Sequence, residues 1–243
     1  MTGLAEPDLW LLAEPETAAL GGPLAVHELD DAERARATAF RRPADRDRYL
    51  VAHIALRRLL AAYVAERPRD IAFARASCPR CGAGHGRPEL AGSDVHFSLS
   101  HSRGAVLIGV AGAPVGVDVE PVPRPHRVGA CLPTLHPEER RELRRHPVAD
   151  RPALFARLWA RKEAYLKGTG IGVGGWTTRV YLGDGGPGAP PRPAGWSVVD
   201  VPWGSGHAAV AAIAVAAPRP AVRRLPPEVV LASGGVPAAP IAP

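Results

Sequence analysis

Three short runs crowd into residues 95–120, and they constrain the fold more than any other part of the chain. Val95 to Leu99 (VHFSL) alternates in polarity, Ala105 to Ala111 (AVLIGVA) is apolar throughout, and Val115 to Glu120 (VGVDVE) alternates again. Runs of this length and pattern are strands. Gly112-Ala113-Pro114 is a turn, so Ala105–Ala111 and Val115–Glu120 are expected to pair as a hairpin. Further strands are expected over Asp8–Ala13, Trp176–Leu182, Trp196–Val201 and His207–Ala216. Helices are expected over Asp30–Phe40, Asp45–Glu66 and Pro137–Arg145. A fourth runs over Arg151–Lys167, ended by Gly168. In the second of these, Leu50, Ile54, Leu60 and Tyr63 mark an apolar stripe at helical spacing. The mixture is an α+β chain.

At 243 residues there is enough chain for a core without disulfides. Three cysteines, of which only Cys78 and Cys81 are close together, do not make a secreted disulfide framework. The N-terminus lacks a basic leader pattern. The longest apolar run, Gly104 to Val117, is too short to span a bilayer. The expectation is a soluble cytoplasmic protein that neither crosses nor binds a membrane. Net charge is +6 and the isoelectric point about 9.8, which favours an anionic partner. Of the 30 basic residues, 28 are Arg. The two lysines, Lys162 and Lys167, both fall in WARKEAYLKG.

Several constellations could carry chemistry, and each has a plainer reading. In a strand over GVDVE, Asp118 and Glu120 share a face, about 6–7 Å apart. They form either a solvated outer face or a pair of hard oxygen ligands for Mg²⁺. On the helix Arg151–Lys167, Leu154, Phe155, Leu158, Lys162 and Leu166 share one stripe. Trp159, Glu163 and Lys167 form the neighbouring one. Glu163 and Lys167 are either a surface ion pair or a third carboxylate with a phosphate-binding lysine, and Trp159 is a packing residue. HFSLSHSRG places Ser100 and His101 at a strand end, either capping a turn or meeting an oxyanion; no G-x-S-x-G elbow accompanies them. FRRPADRDRYL gathers arginines, including Arg48, at a helix start, either as a solvated basic surface or as an anion site. CPRCGAGH holds Cys78, Cys81 and His85 at the spacing of a zinc half-site. Cys131 or His96 would have to supply a fourth ligand, and the alternative is a reduced loop.

In this order, Gly86-Arg87-Pro88, FSLSHS (Phe97–Ser102), GVDVE (Gly116–Glu120) and LWARKEAYLKGTG (Leu158–Gly170) resemble the 4′-phosphopantetheinyl transferase superfamily. The likeness is to its large two-lobed form, the surfactin-synthetase-activator type, and covers roughly residues 8–216. GVDVE followed about 40 residues later by W-x-x-K-E-x-x-x-K is the specific part of the match. The resemblance implies two similar α+β lobes related by an internal pseudo-twofold: residues 1–121, then 122–217 after the proline break PVPRP, with 218–243 a Pro/Ala-rich tail expected to be poorly ordered. It implies a monomer that moves 4′-phosphopantetheine from coenzyme A to a serine of an acyl- or peptidyl-carrier protein and releases 3′,5′-ADP. Asp118, Glu120 and Glu163 would hold Mg²⁺. Glu163, or secondly Glu120, would take the serine proton, and Lys162 and Lys167 would meet pyrophosphate oxygens. Arg48 and His101 match the positions on the 3′-phosphate, with Ser100 assisting and Arg36 a further basic contact; Arg87 and Pro88 would lie along the adenine. CPRCGAGH is no part of this pattern.

Two other classes fit parts of the chain. A Mg²⁺-dependent phosphate or nucleotide hydrolase would share the carboxylates and arginines, but no Walker-type G-x-x-x-x-G-K-[ST] loop is present. A nucleic-acid binder would suit the charge, yet 13 aromatics in the whole chain give no interleaved stacking surface. The expectation is no nucleic-acid partner.

Overall fold

A computed structural model describes residues 7–13, 20, 22–172, 176–186, 188–203, 206–213 and 220–234. The first sheet is built from β1 (Asp8–Ala13), β4 (His96–Ser102), β5 (Ala105–Ala111) and β9 (Ala221–Arg224), in the order β4-β5-β1-β9. Only the β1–β9 pair is parallel. The second sheet runs β6-β8-β7, with β6 at Val115–Pro121, β7 at Ser197–Val201 and β8 at His207–Ile213. A separate small hairpin joins β2 (Phe73–Arg75) to β3 (Pro88–Leu90). The helices are α1 (Asp31–Thr38), α2 (Pro43–Val64), α3 (Pro125–Cys131), α4 (Pro137–Arg145) and α5 (Arg151–Thr169). None of the described helices is long and apolar enough to cross a membrane.

The apolar character of β5 follows from its place. Val106, Ile108 and Val110, with Trp10 and Leu12 of β1, pack against α2. The alternate residues Ala105, Leu107 and Ala111, with Leu9 and Leu11, pack against Val115, Val117 and Val119 of β6. A strand covered on both faces reads as a continuous apolar run. This arrangement corrects the expected hairpin. Both edges of β5 are taken, by β1 and by β4, so residues 112–114 carry the chain into the other sheet. The hairpin partner of β5 is β4, through the Arg103-Gly104 turn, where Gly104 has φ of +84°. The partner of β6 is β8, far along the sequence.

The free edge of β6 is met by side chains instead of backbone. Ser98 Oγ accepts from Val117 N–H at 3.1 Å and Ser100 Oγ from Val119 N–H at 3.3 Å. The alternating serines of FSLSHS thus take the place of a neighbouring strand's carbonyls, and each buried amide left unpaired would cost about 1–3 kcal/mol.

Other expectations need revision. Gly168 does not end α5, which runs to Thr169 and closes on Gly170 in the left-handed region (φ +72°). Gly168 instead permits close packing: a Cβ there would lie 2.6 Å from the Trp196 ring, and one on Gly116 would lie 1.9 Å from Ala164 O. The two glycines let β6 and α5 pack backbone to backbone. Trp176–Leu182 is no strand, because its backbone groups are taken by side chains: Lys162 Nζ donates to Val180 O, and Leu182 N–H donates to Glu139. The expected disorder from Pro218 onward is overturned for residues 220–234. They supply β9, and Leu225, Val229 and Val230 enter the first core. Residues 214–216 of the expected last strand lie outside the described residues, as do 235–243.

Candidate active site

The close approach of β6 and α5 sets the site. With Val115, Val117 and Val119 turned to the first sheet, Gly116, Asp118 and Glu120 fall on the opposite face, the face toward α5. Asp118 is buried, at 2% exposure, which excludes the solvated-face reading for this residue. Its Oδ1 accepts from Lys167 Nζ at 2.6 Å and from Ser100 Oγ at 2.9 Å. Its Oδ2 is buried with no hydrogen-bond partner. A buried carboxylate oxygen without a donor is costly and is suited to a cation.

Glu120 and Glu163 complete the acidic group. Burial pushes Glu120 from 4.5 up to about 7. The charges of Asp118 and Glu163 push the same way, against Lys167 and a hydrogen bond from the Trp159 side chain. Burial and then Asp118 push Glu163 up, opposed by Lys167. Asp118 makes ionisation of both glutamates harder, and Glu163 adds to this at Glu120, the condition a divalent ion relieves. The three do not close to within 4.8 Å as a set; among the described residues only Cys78, Cys81 and His85 do so. Such an open arrangement fits Mg²⁺, which keeps waters and substrate oxygens in its shell.

Lys162 does not belong to this group. Its side chain is fully buried and its Nζ lies 2.8 Å from Glu139 Oε2, also fully buried. Glu139 in turn accepts from the His136 and Leu182 amides, so one buried ion pair fixes the start of α4 and the loop after α5. The expectation that Lys162 meets pyrophosphate is therefore corrected: it lies on the apolar stripe of α5, one position round from the site. Ser100 is likewise engaged with Asp118 and Val119, which makes it a positioning residue for the carboxylate.

Arg87 packs against the end of α5 at Gly170. A Cβ on Gly170 would lie 3.3 Å from Arg87 N, and Arg87 Nε is buried without a partner. Arg48, largely buried, pairs with Asp45 at 3.0 Å. Arg36 is exposed over the Phe40 ring, 5.2 Å from its centre. His101 is exposed at the end of β4, turned away from the side used by Ser100.

Sequence reasoning missed one feature. An open pocket of about 940 Å³ adjoins Glu120, floored by Phe155 and Trp159 and rimmed by Arg103, Arg124 and Arg127. Phe155 and Trp159 are parallel, with centroids 6.5 Å apart. Their i, i+4 spacing on α5 was the available signal, but α3, which supplies Arg127, was not anticipated.

Comparison with known proteins agrees with this geometry. The family model described as the 4′-phosphopantetheinyl transferase superfamily matches residues 114–181, which carry Asp118, Glu120, Glu163 and Lys167. A Synechocystis sp. protein assigned as a 4′-phosphopantetheinyl transferase is 31% identical over 182 residues, 73% of this chain and 70% of its own length. The 4′-phosphopantetheinyl transferase psf-1 of Bacillus pumilus is 31% identical over 58% of each chain. HetI of Nostoc sp., also named a 4′-phosphopantetheinyl transferase, is 32% identical over 60% of this chain and 61% of its own. The chain belongs to the 4′-phosphopantetheinyl transferase superfamily, a class of transferase enzymes.

Proposed function

We propose that the protein transfers 4′-phosphopantetheine from coenzyme A to a serine of an acyl- or peptidyl-carrier protein in a Mg²⁺-dependent reaction that releases 3′,5′-ADP. The observation that carries this reading is the buried carboxylate group on β6 and α5, with Asp118 Oδ2 unpartnered and Lys167 beside it. Asp118, Glu120 and Glu163 would hold the ion. Bound there, Mg²⁺ supplies charge neutralisation of the pyrophosphate.

The chain's own residues do the rest. Lys167, paired with Asp118, places a compact point charge at the edge of the site, where negative charge grows on the leaving phosphate. Glu163 accepts the serine proton, with Glu120 as the second candidate. Ser100 locks the Asp118 rotamer. Arg48, His101 and Arg36 serve the 3′-phosphate, and the Arg87-Pro88 turn lies along the adenine. The pocket beside Glu120 takes the pantetheine arm against Phe155 and Trp159. In this reading the protein is a cytoplasmic monomer of the surfactin-synthetase-activator type, with two pseudo-twofold-related lobes and coenzyme A between them. It serves polyketide or non-ribosomal peptide synthases.

The test is the intact mass of an apo carrier protein incubated with the enzyme, coenzyme A and Mg²⁺, with and without EDTA. The expected result is a Mg²⁺-dependent gain of one phosphopantetheine, about 340 Da by its formula. No gain across several unrelated carriers, together with no binding of coenzyme A, overturns the proposal.

A further inference from the structure

The transferase reading leaves residues 76–85, at the tip of the β2–β3 hairpin, without a role. The hairpin continues through Ala76 N–H to Arg87 O at 3.0 Å and Gly86 N–H to Ala76 O at 2.9 Å. Gly86 is required there, since a Cβ would lie 2.5 Å from Ala76 O. Above it the chain curls into a knuckle. Cys78 N–H donates to Ala83 O at 2.7 Å, Gly82 N–H donates to Cys78 O at 2.8 Å, and Gly82 takes φ of +74°. The amides of Arg80 and Cys81 both hydrogen-bond the Cys78 sulfur, which orients it.

Cys78 Sγ, Cys81 Sγ and a His85 ring nitrogen all lie within 4.8 Å of one another. Cys78 is buried, while Cys81 and His85 are exposed. Cys81 Sγ is 3.0 Å from His85 Nε2. A tetrahedral zinc with bonds of about 2.3 Å to sulfur and 2.0 Å to nitrogen holds such a pair about 3.5 Å apart. The two side chains need part by only about half an ångström, and both are free to do so on the exposed side.

We propose that Cys78, Cys81 and His85 bind one Zn²⁺, with the fourth position open to water. Two thiolates and an imidazole are soft and borderline donors, suited to zinc and unsuited to Mg²⁺. Binding releases the two thiol protons, and the His85 Nε2 lone pair completes the set; no redox step is involved. Cys131 and His96, the fourth ligands considered from the sequence, are not members of the cluster. The ion closes a ring from Cys78 to His85, directly before Gly86-Arg87-Pro88. It thereby fixes the turn that packs on Gly170 at the end of α5. The inference concerns a site separate from the carboxylates and stands whether or not the transferase reading does.

The full chain, purified under reducing conditions and stripped of metal, is titrated with Co²⁺ and then Zn²⁺. About one Co²⁺ per chain with thiolate-to-cobalt charge-transfer absorption, displaced by Zn²⁺, is expected. Cys81→Ser and His85→Ala, both at exposed positions, should bind at least about tenfold more weakly while keeping the wild-type circular dichroism. A folded wild-type protein without the thiolate band, or variants that bind as tightly as wild type, overturns the site. So does wild-type protein whose Cys78 and Cys81 form a disulfide in place of binding metal after reduction.

Discussion

The carboxylate group makes a measurable claim about the metal-free protein, tested by Glu120→Gln in EDTA. With Glu120 moved from 4.5 to about 7, ionising it at pH 8 costs the folded state about 3 kcal/mol more than the unfolded chain. Glu120 is partly exposed and water screens the charge, so about half of that is expected. Between pH 4.5 and pH 7 the folded state keeps a proton that the unfolded chain has released. Stability therefore falls as pH rises through that window. Glutamine keeps an acceptor for Trp159 and carries no charge. Glu120→Gln should melt a few degrees above wild type at pH 8, from about 1–2 kcal/mol, with the gap nearly closed at pH 5. Mg²⁺ should raise the wild-type melting temperature at pH 8 and leave the variant's unchanged, and the variant should be inactive. Equal melting at pH 8, or an equal gap at both pH values, would show that burial and the neighbouring carboxylates do not hold a proton on Glu120.

Three further outcomes follow from the packing. Gly116→Ala should destabilise by about 1–3 kcal/mol and lower transfer, because its Cβ would sit 1.9 Å from Ala164 O and force α5 off β6; unchanged melting and turnover would refute the close-approach argument. Lys162→Met should cost about 3–5 kcal/mol by leaving Glu139 charged and buried; a double-mutant cycle with Glu139→Gln should recover much of this, read by denaturant unfolding. Lys167→Ala should abolish transfer and also lower melting, since buried Asp118 loses its ion-pair partner, and Lys167→Arg should restore only part of the activity, since Arg keeps the charge but not the compact geometry; full activity of the alanine variant would remove Lys167 from the reaction.

The sequence made faces legible and left partners hidden. Alternation in GVDVE correctly put Asp118 and Glu120 opposite the valines, because strand geometry is local. It could not show that β6 pairs with β8 about 90 residues later, so the nearest turn was read as a hairpin. Helical spacing placed Lys162 among Leu158, Leu166 and Phe155, where it lies. The role assigned by resemblance drew it to the phosphate, and only Glu139, from another helix, explains a buried lysine. Trp159 was read as packing, whereas its side chain hydrogen-bonds Glu120; which end of an indole meets a carboxylate depends on the tertiary approach. The segment 220–234 was hidden by composition, since a few apolar residues among prolines sufficed to add a strand and a short helix to the first core.

The pairing of β9 with β1 also sets the order of assembly. β1 is made long before its parallel partner, and one of its edges stays open until residues 221–224 emerge. Such an edge is a template for pairing with other chains, and closing it spans most of the sequence, which slows folding. Deleting residues 221–231 would leave that edge permanently open and the first core without Leu225, Val229 and Val230, yielding aggregates in place of a shorter enzyme.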